Sequence, residues 1–195
     1  MMRITGMGFL ACTLIFNSAG AFGASAADTP VDWQTLLPEV RSAVKHSFPK
    51  ETSEAHYPAS ISKTADLTGA GVSEALVDLG TGAYTEEMTV VRIEAGQPVV
   101  AKFRGKDDKV SPMVFLSGIS EGKGEAVELR PMEHVVYSGH WFVDGAKMKH
   151  CGGEAYRWEA SAKNFEYDKK LSKSMTHEFC QKMGLKMQAT ILRGE

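Results

Sequence analysis

A glycine-bearing loop leads directly into an apolar strand at residues 65–80, and this junction constrains the fold more than any other stretch. Asp66, Thr68 and Glu74 carry oxygen atoms at spaced positions around Gly69 and Gly71. Glycine allows the tight backbone conformations that a short turn requires. The residues after the loop, 75–79, form a short apolar run that is typical of a buried strand. An alternating segment, 61–66, enters the loop, so the pattern predicts a turn between two strands.

Helical periodicity appears near each end of the chain. Between residues 32 and 48, Pro38 suits the first helical turn and Pro49 ends the helix. Residues 168–183 predict a second helix, for which Gly184 supplies the stop. Residues 185–192 suit either a last strand or a tail. The apolar positions are Leu37, Val40, Val44 and Phe48 in the first helix, and Leu171, Met175, Phe179 and Met183 in the second.

Strand signals fill the chain between these helices. Turn sequences at 94–97 and at Asp144-Gly145 indicate hairpins, and the glycine-rich stretch 117–124 predicts a loop. A helix, a run of consecutive strands and a second helix predict an α+β fold. We expect a β-rich antiparallel sheet of meanders and hairpins. The predicted strands are 61–66, 74–79, 88–93, 98–103, 110–116, 126–129, 134–137, 140–143, 154–158 and 164–167.

The first 26 residues have the order of a secretory signal. Arg3 precedes a largely apolar run, 4–22, and small residues follow at 24–27. Polar residues and glycines interrupt the run, which disfavours a membrane anchor. Lipidation at Cys12 is a further alternative, with a short apolar stretch before the cysteine. We therefore predict cleavage after Ala26 and a single exported domain, 27–195, in the periplasm or outside the cell.

The charge and the cysteine content of this domain limit the classes of function that it can have. The full chain has a formal net charge of −2, and losing Arg3 moves it to about −3. This balance gives no electrostatic case for binding nucleic acid or anionic membranes. No later apolar run is long enough to span a bilayer. Cys151 and Cys180 remain after cleavage, and an oxidising compartment favours a disulfide between them.

The loop after Ala65 resembles a known calcium motif. Residues 66–74, Asp-Leu-Thr-Gly-Ala-Gly-Val-Ser-Glu, are similar to the D-x-[DN]-G-D-G-x-x-[DE] loop of FG-GAP/VCBS-type repeats. That resemblance implies a secreted β-protein whose loop joins two antiparallel strands and binds calcium. The ligands that it implies here are Asp66, Thr68, the carbonyl of Val72, and Glu74.

This sequence departs from the motif at positions that lower the expected affinity for calcium. Ala70 stands where the family has a carboxylate, and Thr68 stands where it has Asp or Asn. Fewer anionic ligands give weaker calcium binding. The alternative is an empty structural turn in which Asp66 accepts backbone N–H groups. Calcium is therefore the one cofactor that the residues suggest, and the turn stands beside it as the competing interpretation.

Two other patterns raise the question of catalysis. Residues 118–122 match G-x-S-x-G with Ser120 at the centre, but a nucleophile elbow needs a helix directly afterwards, and two glycines follow instead. His134, His140 and His150 come from neighbouring predicted strands and could converge on zinc. His177 belongs to the second helix. Ordinary surface histidines are the alternative for all four.

We predict an exported, non-catalytic binding or envelope-associated module whose partner is an unidentified protein or small ligand. The alternative function is a small secreted hydrolase, using either Ser120 as a serine nucleophile or a metal held by the histidines. A third alternative is a subunit of an assembly, which would carry an exposed apolar patch. Composition and spacing do not name the ligand.

Overall fold

A computed structural model describes residues 31–81, 84–120, 122–145 and 147–193 of the chain, the last eight of these by their backbone alone. The predicted signal segment and its cleavage point lie outside the described residues. The helices are α1 (Leu37–Ser47), α2 (Pro49–Ser53) and α3 (Lys169–Arg193). The strands are β1 (Ser60–Ala65), β2 (Glu74–Asp78), β3 (Thr85–Glu94), β4 (Gln97–Val100), β5 (Lys102–Arg104), β6 (Val110–Pro112), β7 (Phe115–Ser120), β8 (Lys123–Arg130), β9 (Val135–Asp144), β10 (Lys147–Glu159) and β11 (Asn164–Tyr167).

The architecture is the predicted α+β arrangement, a mostly antiparallel sheet with a helix near each end. Its strand pairings close into a ring. From β3 they run through β7, β8, β9, β10 and β11 to β5, which pairs with β11 in parallel. Ala101 separates β5 from β4, and β4 pairs back onto β3. We call this closed path the strand ring; β1 and β2 extend it from β3, and β6 extends it from β5.

Three hydrophobic clusters hold these elements together. The first fills the strand ring and centres on aromatic side chains from four of its strands. The second packs α1 against β2, β3 and β4, and the third packs α3 against β9 and β10. Apolar burial of this extent is the main favourable term in folding. Their principal members are Phe103, Phe115, Tyr156 and Phe165 in the first, Val40, Val44, Val77 and Val91 in the second, and Val135, Tyr137, Met175 and Phe179 in the third.

The N-terminal helix follows the sequence prediction closely. Pro38 lies in the first turn of α1, where its missing N–H would have no helical partner. Val40 and Val44 are fully buried, as their spacing predicts. Pro49 ends the helix as predicted, and it also begins the short helix α2.

Several predicted boundaries are wrong. The glycine-rich stretch 117–124 is the end of β7 and the start of β8, which form a tight hairpin instead of a loop. The two strands predicted at 134–137 and 140–143 are one strand, β9. Helix α3 continues through Gly184 to Arg193, so neither the predicted stop nor a last strand occurs. A Cβ at Gly184 would meet nothing within 4 Å, and a helix without a capping turn tolerates an exposed glycine at modest cost.

None of the helices in the described part of the chain combines the length and apolar composition needed to cross a bilayer.

Candidate functional site

The loop at 66–73 connects β1 to β2, which pair antiparallel from Ala65 and Glu74 onward. Asp66 closes the loop from one side. Its Oδ1 accepts the N–H of Gly69 at 2.7 Å, and its Oδ2 accepts the N–H of Gly71 at 3.0 Å. An aspartate that binds the backbone two to five residues later is a common device for fixing a turn.

Glu74 closes the same loop from the other side. Its Oε2 accepts the N–H of Leu67 at 2.6 Å, and its Oε1 accepts the hydroxyl of Thr68 at 3.0 Å. The residue is only 3% exposed, and burial raises the pKa of this carboxyl above its usual 4.5 despite the hydrogen bonds from Leu67 and Thr68. Val72, the remaining predicted ligand, is half-buried in the same loop.

The structure thus brings Asp66, Thr68 and Glu74 into one hydrogen-bonded loop. Every carboxylate oxygen of Asp66 and Glu74 already accepts a donor within this loop. These contacts support the structural-turn interpretation, and calcium binding stays a prediction of the resemblance.

The raised pKa of Glu74 predicts how replacing it with glutamine changes the pH dependence of stability. The folded state holds the Glu74 proton more tightly than the unfolded state. The stabilisation that this provides to the folded state is therefore fully present below the usual carboxyl pKa. It is lost as pH rises through the raised pKa. Glutamine can still accept from Leu67 and donate to Thr68, but it does not ionise. We expect the free energy of unfolding of wild type, relative to Glu74→Gln, to fall between pH 4 and pH 8.

Denaturant titrations of both proteins at several pH values measure this difference. Carboxyl groups distant from Glu74 contribute equally to both proteins and cancel. A difference that stays constant over this interval would contradict the raised pKa.

The predicted disulfide is present. Cys151 of β10 and Cys180 of α3 are bonded, with their Cα atoms 5.9 Å apart. The bond lies beside the cluster that packs α3 on β9 and β10. It therefore joins the C-terminal helix covalently to the strand that supports it.

The histidines predicted to converge divide into separate sites. His140 and His150 lie together on the exposed sheet face, with their Nε2 atoms 3.1 Å apart. His134 lies elsewhere, against Gly69 of the calcium-type loop, where a Cβ on that glycine would come within 2.9 Å of its ring. His177 is on α3, within hydrogen-bond distance of Gln181.

Ser120 is the last residue of β7, and the chain turns directly into β8 at Lys123. The G-x-S-x-G match therefore lies on a strand–turn–strand hairpin. A nucleophile elbow requires strand, turn and helix, so the local geometry differs from that motif. Among the described residues, no hydrogen bond joins Ser120 to a histidine.

A polar pocket of about 230 Å³ lies where the segment before β1 meets the ends of β2, β3 and β7. Tyr57 and Tyr84 line it, and they are 60% and 76% exposed. Among the described residues that line it, the ionisable ones besides these tyrosines are the acidic Asp78 and Glu86. The remaining lining residues are Thr81, Thr85, Ser117 and Gly118.

Two glycines allow the walls of this pocket to approach each other. At Gly80, which has φ +79°, a Cβ would lie 1.9 Å from the carbonyl oxygen of Tyr57. At Gly118, which has φ +146°, a Cβ would lie 2.2 Å from the carbonyl oxygen of Tyr84. Only glycine fits where a backbone comes this close. The two glycines thus set the positions of both tyrosines.

A larger open groove of about 770 Å³ runs between β1, β8 and α3. Its charges are largely paired with one another. Arg130 contacts Glu128 at 2.6 Å and Glu178 at 2.8 Å, and Lys182 contacts Glu128 at 3.0 Å. The groove is therefore a network of ion pairs that joins α3 to β8, whereas no basic residue stands among the described residues that line the smaller pocket.

Sequence reasoning did not find the pocket, because its residues come from three stretches that are distant along the chain: Tyr57, Asp78 to Glu86, and Ser117 with Gly118. The available signals were Gly80 and Gly118, but a glycine near a turn has many explanations. Sequence reasoning did name both members of the histidine pair and assigned them a third partner that lies elsewhere.

Comparison with known proteins adds no relatives to this description. No family model matches the chain, and neither a curated protein nor a solved structure matches it. Its function has to be inferred from its own residues.

Proposed function

We propose that the chain is an exported, non-catalytic binding module, and that its ligand is a small organic cation held in the pocket between Tyr57 and Tyr84. The observation that carries this proposal is the lining of the pocket, in which two exposed tyrosines accompany two carboxylates and no basic residue. The calcium-type loop serves this module as a structural turn. Export rests on the signal-like first 26 residues, and the disulfide is compatible with it.

The electrostatics of the pocket favour a positive ligand. Asp78 and Glu86 both contribute negative charge to a concave surface, and such surfaces concentrate ligands of opposite sign. The Oδ1 atom of Asp78 accepts the N–H of Gly80 at 2.8 Å, which fixes the direction of this carboxylate. An anionic ligand would be repelled by both groups, and a neutral ligand would lack the attraction between opposite charges.

The two tyrosines suit the same class of ligand. Aromatic rings attract ammonium and quaternary ammonium groups through their negative faces, with a gain of about 0.5–2 kcal/mol per contact. Exposed rings beside carboxylates also cover the apolar parts of an alkylammonium ion. The volume of about 230 Å³ suits a ligand of a few heavy atoms.

Calorimetric titration with choline tests the proposal. The matched control ligand is 3,3-dimethyl-1-butanol, which has the same shape but no charge. We expect choline to bind and the alcohol to bind much more weakly. Tyr84→Ala should lower choline affinity about 2- to 30-fold, the range that corresponds to one cation–aromatic contact.

Asp78→Asn removes a charge while leaving an oxygen that can accept the N–H of Gly80. It should therefore lower the affinity for choline without disturbing the fold. Glu133→Gln, which removes an exposed charge far along the chain, is the matched control and should have no effect. Equal affinity for choline and its uncharged analogue, or equal affinity in Asp78→Asn and wild type, would overturn the proposal.

A further inference from the structure

The histidine pair has a geometry that a metal ion can use. The Nε2 atoms of His140 and His150 are 3.1 Å apart, while their ring centroids are 5.2 Å apart, so the two nitrogens occupy facing edges. Metal–imidazole bonds are about 2.0–2.1 Å long. An ion bonded to both nitrogens across 3.1 Å would subtend an angle of about 95–102°. That angle lies between the right angle of square-planar coordination and the wider tetrahedral angle.

We propose that His140 and His150 form a binding site for a divalent late first-row transition-metal ion, with Cu²⁺ the preferred ion. Both imidazoles would bind through Nε2, with the ring proton of each on Nδ1. In the metal-free pair one Nε2–H donates to the other Nε2. Binding therefore requires a tautomeric shift on one ring and a rotation of both exposed side chains that turns the two Nε2 lone pairs onto the ion. Within the described residues, no group of three or more His, Cys, Asp or Glu side chains can share an ion. Water would therefore complete the coordination.

The fold holds these two side chains in place on paired strands. His140 on β9 lies directly opposite Gly152 on β10, and His150 is two residues before that glycine. Diagonal neighbours on one face of a sheet are within reach of long side chains. His150 pairs with Phe142 in unbroken register with Gly152, so alternation along β10 places His150 and Gly152 on the same face as His140. The register shift in β10 lies on the other side of His150, between Met148 and His150.

Gly152 leaves room at the point where the two rings converge. A Cβ at this position would lie 2.7 Å from Nε2 of His140 and 3.6 Å from Nε2 of His150. Glu125 on β8 lies directly opposite His140 on its other side and contributes negative charge nearby. Site rigidity, an open position for water and a neighbouring anion all favour a bound cation.

Ligand type selects the class of ion. Imidazole nitrogen suits copper, zinc and nickel, whereas calcium and magnesium require several oxygen ligands. Among the divalent ions, affinity for a nitrogen site rises to a maximum at Cu²⁺. Calcium is therefore the appropriate negative control for this pair.

The test is a Cu²⁺ titration of the full exported chain, prepared without an affinity tag, followed by calorimetry and electron paramagnetic resonance. We expect one tight site per chain and nitrogen hyperfine structure from two imidazoles. His140→Ala and His150→Ala should each lower affinity about 100-fold, because a second ligand on the same scaffold acts at high effective concentration. His177→Ala removes an equally exposed histidine and should leave affinity unchanged.

Gly152→Ala provides a variant that keeps both histidines. The new methyl group displaces the flexible end of His140, so the fold should survive while Cu²⁺ affinity falls. If the His140→Ala, His150→Ala double variant binds Cu²⁺ as tightly as wild type, the proposal is overturned. Calcium bound in the 66–74 loop would be detected separately, as a calcium-dependent rise in the melting midpoint that Asp66→Asn abolishes. The copper site uses His140 and His150, and the choline pocket uses other side chains, so the outcome of each titration is judged on its own variants.

Discussion

Replacing Cys151 and Cys180 together with alanine should lower the melting midpoint by about 7–14 °C. The disulfide closes a loop with a sequence separation of 29 residues. On the chain-entropy model, removing such a crosslink costs roughly 3.5 kcal/mol, because the unfolded chain regains freedom. For a domain of this size each kcal/mol corresponds to about 2–4 °C. Thermal unfolding by circular dichroism under non-reducing conditions measures the shift.

Reduction provides the matched control for this variant. Dithiothreitol should destabilise wild type by a similar amount and leave the double-alanine protein unchanged. Because α3 also packs on β9 and β10 through Met175 and Phe179, we expect the variant to remain folded at room temperature. A midpoint within about 2 °C of wild type would contradict a stabilising role for the bond.

Replacing Phe103 with alanine should cost about 3–5 kcal/mol of unfolding free energy, the range found for large aromatic residues in cores. Phe103 is fully buried inside the strand ring. Its ring centroid lies 5.1 Å from that of Phe115, 5.5 Å from that of Tyr156 and 5.0 Å from that of Phe165. Removing the ring leaves a cavity among groups held by separate strands, so collapse of the site is limited.

The position of Phe103 makes the effect larger than burial alone. It belongs to β5, which pairs with β11 in parallel and closes the strand ring. Urea titration of wild type and Phe103→Ala measures the loss. Phe142→Ala is the matched control, since Phe142 is 37% exposed on β9 and its removal should cost about 1–2 kcal/mol. Comparable losses in the two variants would contradict the central role of the cluster.

Local patterns predicted the elements that depend on neighbouring residues. The first helix, the hairpin at Asp144-Gly145 and the apolar stripe of α3 follow from periodicity and turn chemistry alone. The C-terminal boundary was wrong because a single glycine does not end a helix unless the chain also makes a capping turn. The prediction of a loop at 117–124 was wrong because strand pairing between β7 and β8 outweighs the low strand propensity of glycine.

The sequence by itself determined the α+β class and the disulfide pair, and it offered a turn closed by Asp66 as one of two interpretations of the loop. These features depend on composition, on spacing and on contacts between residues close along the chain. Only the tertiary structure decided that the strands close into a ring, that His140 meets His150 without His134, and that Tyr57 and Tyr84 enclose an acidic pocket. Those juxtapositions depend on strand register, and a shift of one residue turns every side chain to the opposite face. Register is selected by the whole core at once, so no local pattern encodes it.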